Sequence, residues 1–156
     1  MAKTQANLQL IIVGPEFSQQ SLREAGCSQH ADRIHYKSGI TDTQLRRLYA
    51  SSELLIFPSL MEGFGWPIIE AQACGCAVAT YDIEPMRSLN AIQDLVAGDG
   101  SEAQLLARVA LNYIETTAEQ KAQMKQTMCN FAAQFTNAAS AKAYHELYQT
   151  AIEQQI

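Results

Sequence analysis

Apolar positions along the chain follow two periodicities. Leu8-Gln9-Leu10-Ile11-Ile12-Val13 is a short apolar run ending at Gly14-Pro15. Its length and Ile/Val content predict a buried strand. Arg33-Ile34-His35-Tyr36-Lys37 predicts a second, weaker strand, Leu54-Leu55-Ile56-Phe57 a third, and Ala77-Val78-Ala79-Thr80-Tyr81 a fourth. Between them the spacing turns helical. Ser18 is placed to cap a short helix through Ala25, which Gly26 ends. Thr41 or Asp42 is placed to cap a helix with Leu45, Leu48 and Tyr49 on one face. Pro67 sits where a first-turn proline belongs, so Ile68 to Ala73 reads as a helix ending near Gly75. Residues 82–98 are ambiguous, with Ile92 to Val96 as a candidate fifth strand.

Three further helices follow. Ser101 and Glu102 open one with Leu105, Leu106, Val109 and Tyr113 on one side. Thr117 caps the next, with Met124, Met128, Phe131 and Phe135 in phase, and Thr136 caps the last, with Tyr144, Leu147, Tyr148 and Ile152. These Met and aromatic stripes are expected to pack as core. Strands separated by helices imply parallel βαβ crossovers, hence an α/β, Rossmann-like doubly wound parallel sheet. The expected organisation is a single domain over residues 1–156, with an α/β core at about 8–98 and a helical tail at about 101–156.

Composition narrows the function. Net charge is -5, which argues against a nucleic-acid partner, because sequence-independent binding needs a basic surface. The charge is unevenly placed: residues 1–60 hold 6 Lys/Arg and 5 Asp/Glu, and residues 61–156 hold 5 and 11. No apolar run approaches the ~20 residues that span a bilayer, and the polar start has no signal-peptide core; a cytoplasmic protein is expected. Cys74 and Cys76 have no second Cys/His pair at zinc spacing. The four cysteines are expected to be reduced and buried, and no metal site is expected. His30, His35 and His145 lie outside the candidate site.

In an open parallel sheet, ligands bind beyond the carboxyl ends of the strands. The loop after Phe57 is the most informative: Pro58-Ser59-Leu60-Met61-Glu62-Gly63-Phe64-Gly65-Trp66-Pro67-Ile68-Ile69-Glu70. Gly63 and Gly65 permit a tight turn and close backbone approach to a ligand. The helix starting at Pro67 points free N–H groups and its positive dipole end at the same place. Glu62 lies on the loop and Glu70 in the first helical turn. The combination suits a phosphate-bearing ligand with hydroxyls on either side. On spacing alone, either carboxylate could equally serve the N–H groups of its own helix end.

Glu62 and Glu70, with seven residues between them, resemble the E-x7-E signature of retaining glycosyltransferases of the GT-B fold. The surrounding Phe57-Pro58-Ser59, Glu62-Gly63-Phe64-Gly65, Pro67-Ile68-Ile69-Glu70-Ala71 and Ala73-Cys74-Gly75 are similar to glycosyltransferase family 4, and the similarity runs from about residue 8 to 82. The resemblance implies the C-terminal, donor-binding domain of an enzyme transferring a hexose or HexNAc from a UDP- or GDP-sugar, UDP ahead of GDP, to a polysaccharide or lipid-linked acceptor. Polysaccharide or lipopolysaccharide O-antigen biosynthesis is the implied setting. It implies Glu62 as the catalytic-site residue beside the donor sugar. Gly63, Phe64 and Gly65 would lie against sugar and phosphate, Ile68 and Ile69 would offer N–H groups to the diphosphate, and Glu70 would accept from the ribose. Gly39, Ile40 and Asp42 would flank the base. No cofactor or metal is implied.

Departures from the family pattern shape further expectations. The chain is too short for both GT-B domains, so the acceptor domain, a partner within the same enzyme, is expected to be absent. Membrane contact, peripheral at the inner face, would come through that domain. The strand-helix unit preceding Leu8, with the family's phosphate-neutralising Arg and Lys, is also expected to be missing. The isolated chain is therefore expected to be inactive. In a 3-2-1-4-5-6 sheet the missing strand would be central. Direct pairing of the Leu8–Val13 and Leu54–Phe57 strands, or a homodimer through the exposed edges, is expected to compensate. Trp66 stands where a smaller aliphatic is usual and would either pack or narrow the donor pocket. The alternative reading is a non-catalytic nucleotide or nucleotide-sugar binding module with the same fold.

Overall fold

The computed structural model describes residues 8–15, 18–98 and 102–154. The chain divides into two compact units, Met1–Leu45 and Arg46–Ile156.

In the first unit, β1 (Leu10–Val13) pairs in parallel with β2 (Ile34–Lys37), with Leu10 opposite Ile34 and Val13 opposite Lys37. The crossover carries α1 (Gln19–Glu24), whose cap is Ser18 as expected: its Oγ accepts from the Ser21 N–H at 3.1 Å. A 3-10 turn, Ser28–Arg33, precedes β2 and has no counterpart in the sequence reading. Helix α2 (Asp42–Ser51) starts in this unit and runs into the next. Its cap is Thr41: Thr41 Oγ1 accepts from the Gln44 N–H at 3.3 Å, and Gln44 Oε1 accepts from the Thr41 N–H at 2.7 Å. These reciprocal bonds satisfy two otherwise orphaned donors.

In the second unit, β3 (Leu54–Phe57), β4 (Ala77–Tyr81) and β5 (Val96–Ala97) form a three-stranded parallel sheet in sequence order. Leu54 lies opposite Ala77, and Thr80 opposite Val96. Helix α3 (Trp66–Ala73) crosses from β3 to β4, and α4 (Met86–Leu89) lies between β4 and β5. Three longer helices follow: α5 (Ala103–Glu115), α6 (Ala118–Ala132) and α7 (Asn137–Glu153). Strand β4 has a ladder on each side and contacts α3, α4, α5 and α6, so all five of its residues are buried. One of its faces joins Ala77 to Leu95, Tyr113 and Met128, and joins Ala79 and Tyr81 to Ala97 and Leu106. Alanine at 77 and 79 leaves room for the larger side chains of α5 and α6.

Several expectations need correction. The α/β class and the parallel pairing hold, but the strands form two sheets. The expected β1–β3 ladder is not among the pairings of the described residues: β1 pairs with β2 and β3 with β4. The fifth strand is Val96–Ala97 rather than Ile92 to Val96, because Gln93–Leu95 forms a 3-10 turn. Helix α5 has no side-chain cap at Glu102, and Ser101 lies outside the described residues. Phe135 falls beyond α6 and stacks against Phe131 at 5.3 Å from the connection to α7. The stripe on α7 is not core. None of its residues is buried, and Tyr144, Leu147, Tyr148 and Ile152 are all exposed. All four cysteines are free as expected, but only Cys76 is buried; Cys27, Cys74 and Cys129 are partly exposed.

Candidate functional site

The loop between β3 and α3 lies at the carboxyl end of β3. Ser59 Oγ donates to the Met61 carbonyl at 3.2 Å, which folds the loop back on itself. Gly63 stands in open space, where an added Cβ would meet no atom within 4 Å. Gly65 is the residue before the helix and sits in the left-handed region at φ 102. A Cβ there would come within 3.2 Å of Leu89 Cδ1 and 3.3 Å of Ile68 Cδ1. The backbone angle favours glycine at this one position, and a Cβ would also press the two methyl groups back by a few tenths of an ångström.

Helix α3 therefore begins at Trp66, one residue earlier than the sequence implies, with Pro67 second. It has no side-chain cap and no acidic residue in its first turn. Glu70 is thus the fifth residue of the helix, outside the first turn. Among the described residues, neither Glu62 nor Glu70 caps the N–H groups of α3. Among the described residues, neither has a hydrogen-bond or ion-pair partner. Glu62 is half-buried and Glu70 exposed. The Ile68 N–H is donated to the Gly65 carbonyl at 3.0 Å, so an anion at this helix end would share that donor. The Ile68 and Ile69 side chains turn inward and are buried.

Trp66 is 56% exposed, so it is not core. Its ring rests on Phe64, with centroids 4.7 Å apart, and Phe64 in turn meets the edge of Phe135 at 6.0 Å. This chain of rings fixes the outer side of the loop.

Three neighbours escape a sequence reading. Tyr49 is buried on α2, and its hydroxyl is pushed up to about 12 by burial first and then by the nearby Glu70 charge. It stays neutral over the working pH range. Gln72 and Asn90 are fully buried amides. Gln72 Nε2 donates to the Ile68 carbonyl at 3.1 Å and the Leu89 carbonyl at 2.8 Å, while its Oε1 accepts from the Ala91 N–H at 2.8 Å. Asn90 Nδ2 donates to the Val78 carbonyl at 2.8 Å and to Thr80 Oγ1 at 3.2 Å, and its Oδ1 accepts from the Ile92 N–H at 3.1 Å. The one legible signal was Gln72 itself, a polar residue four positions after Ile68 on the apolar face of α3.

The remaining sequence-derived residues lie in the first unit. Gly39, at φ 61, and the half-buried Ile40 form the loop after β2, and Asp42 is the exposed first residue of α2. The structure thus groups Glu62 to Glu70 on one loop-helix segment of the second unit, and Gly39, Ile40 and Asp42 on one loop of the first. Among the described residues, no group of three or more His, Cys, Asp or Glu is placed to hold a metal ion, and no helix is long and apolar enough to cross a membrane.

The family profile described as "Glycosyl transferases group 1" matches residues 1–128. The chain belongs to this family. Among relatives of this group 1 glycosyl transferase chain is the MMP alpha-(1->4)-mannosyltransferase of Mycolicibacterium hassiacum, 34% identical over 89 residues, covering 57% of the chain and 20% of that protein. The O-antigen chain mannosyltransferase B of Escherichia coli is 36% identical over 64 residues, or 41% of the chain and 17% of that protein. The chain therefore spans about a fifth of the length of these curated relatives. In fold it is similar to the sucrose-phosphate synthase of Thermosynechococcus elongatus, with a TM-score of 0.71 over 94% of the chain and 39% of that structure at 23% identity.

Proposed function

We propose that this group 1 glycosyl transferase chain binds the nucleotide-sugar donor of a retaining glycosyl transfer. One observation carries the reading. The uncapped start of α3, turned at Gly65, is flanked by two carboxylates that have no partner among the described residues. An uncapped helix start favours an anion such as a diphosphate. A carboxylate without a partner accepts hydrogen bonds from hydroxyls. In this reading Glu62 contacts the hydroxyls of the donor sugar and Glu70 those of the ribose. The backbone of Gly63 to Gly65 lies against sugar and phosphate, and Ile69, with Ile68 sharing its N–H, faces the diphosphate.

The same geometry supplies chemistry. Charge accumulates on the departing nucleoside diphosphate as the bond to the anomeric carbon breaks, and the helix dipole at α3 opposes that charge where it develops. The donor is a UDP- or GDP-hexose or HexNAc, and the names of the relatives support mannose. The acceptor is a polysaccharide or lipid-linked sugar, held by the rest of a longer enzyme that works in the cytoplasm or at the inner face of the membrane. The reading needs no cofactor or metal. Because the chain spans about a fifth of its relatives, we expect it to bind donor without turning it over.

Calorimetric titration with UDP, GDP, UDP-hexoses and GDP-mannose tests this. One nucleotide series should bind, and Glu70→Ala should weaken it by roughly 10- to 100-fold, the loss expected for a charged acceptor of two hydroxyls. A folded sample that binds none of them, or a Glu70→Ala chain that binds unchanged, rejects the reading.

A further inference from the structure

We propose that Gln72 is a positioning residue of the ligand loop: its buried amide holds the backbone of the two residues whose side chains line Gly65 and so sets the turn from which α3 and Trp66 start. Gly65 is packed by the Cδ1 atoms of Ile68 and Leu89. The carbonyls of these same two residues both accept from Gln72 Nε2, at 3.1 and 2.8 Å. The third bond, from the Ala91 N–H to Gln72 Oε1, ties down the residue two places after Leu89. From the other side, Asn90 anchors the same short segment to the Val78 carbonyl of β4.

Two features make this more than ordinary packing. Gln72 stands on a helix face otherwise made of Ile68, Ile69 and Ala71, all buried. An apolar side chain of similar length would fill that space without any amide to satisfy. The amide is nevertheless fully bonded, to one residue on its own helix and two on another segment. A satisfied buried polar group of this kind specifies one geometry rather than adding bulk stability. The geometry specified is that of the φ 102 turn at Gly65. That this turn holds donor phosphate rests on the proposed function, whereas the positioning of the turn does not.

The molecule carries its own probe. Trp66 is its single tryptophan and the residue immediately after Gly65. Time-resolved fluorescence anisotropy of the 156-residue chain should be compared for Gln72→Met and for Leu106→Ala. The second is a core truncation on α5 that lowers the melting midpoint without touching the turn. Gln72→Met should increase the amplitude of nanosecond motion of the indole about twofold. Leu106→Ala should leave it at the wild-type value. In the ligand arm, Gln72→Met should weaken binding of the nucleotide that wild type prefers by about tenfold, and Leu106→Ala should not.

An unchanged indole in Gln72→Met overturns the proposal, and so do equal changes in both variants. If Gln72→Met does not fold, Gln72→Glu taken from pH 7 to pH 5 replaces it. Recovery of wild-type anisotropy as the carboxyl gains its proton, and with it a donor for Leu89, supports the proposal; absence of recovery overturns it. If wild type binds no nucleotide, the donor reading fails while the anisotropy comparison still decides the role of Gln72.

Discussion

Strands β1 and β4 are both short apolar runs, yet every residue of β4 is buried while three of the four in β1 are exposed. Composition does not explain the contrast, because Leu-Ile-Ile-Val in β1 is more hydrophobic than Ala-Val-Ala-Thr-Tyr in β4. Neighbours do. Strand β4 has a ladder on each side and four helices packed against it, whereas β1 has one ladder among the described residues. The contrast recurs among the helices. Five of the eight residues of α3 are buried or half-buried, while all seventeen of α7 are exposed although Tyr144, Leu147, Tyr148 and Ile152 recur on it at helical spacing. Hydrophobicity makes an element want a partner, and the partner decides whether it becomes core.

The largest expected consequence is in hydrogen exchange. Amides of β4 open only with the unit as a whole, and those of β1 through loss of one ladder. Val78 to Tyr81 should exchange at least ~1,000-fold more slowly than Ile11 to Val13. Equal protection would break the comparison. Next in size is side-chain truncation. Ile68 is fully buried, and Ile68→Ala should cost about 2–5 kcal/mol in denaturant unfolding. The same change at the exposed Ile11 should cost under about 1 kcal/mol.

Helix caps give the smallest effect. Thr117 caps α6 in a capping box with Gln120, and Thr136 caps α7 through the Ala139 N–H. Thr117→Ala should lower global stability by about 1 kcal/mol. Thr136→Ala should reduce helical ellipticity while leaving the unfolding midpoint within about 0.3 kcal/mol, because α7 contributes no buried residue to the unit that unfolds. Equal midpoint shifts would show that α7 is part of the core after all.

Much of this was legible in the sequence because it is local. Four strands, the caps at Ser18, Thr117 and Thr136, and the position of α3 all follow from short-range rules. The placement of Glu62 on the loop and Glu70 on the helix after it was legible from their spacing around a glycine turn. What that spacing could not give was that neither caps α3 nor has a partner among the described residues, and that Trp66 rather than Pro67 begins the helix. The α7 stripe was misread because periodicity reports amphipathicity and not the presence of a neighbour. Phe135 was assigned to α6 for the same reason: its phase fits, but the helix ends at Ala132 and the ring turns to Phe64. Gln72 showed only as a polar residue on an apolar face, and its cross-segment bonds and those of Asn90 were silent because they join residues 10 to 19 positions apart.

The sheet of the second unit has a property that concerns its synthesis rather than its stability. Its strands neighbour one another in the order in which they leave the ribosome, β3, then β4, then β5. Strand β3 waits only for residues 58–76 before its partner emerges. Among these three strands, none has to be threaded between two that have already met. Each new strand docks on a finished edge, so the loops to be closed stay short and the nascent chain hides its sticky amides early.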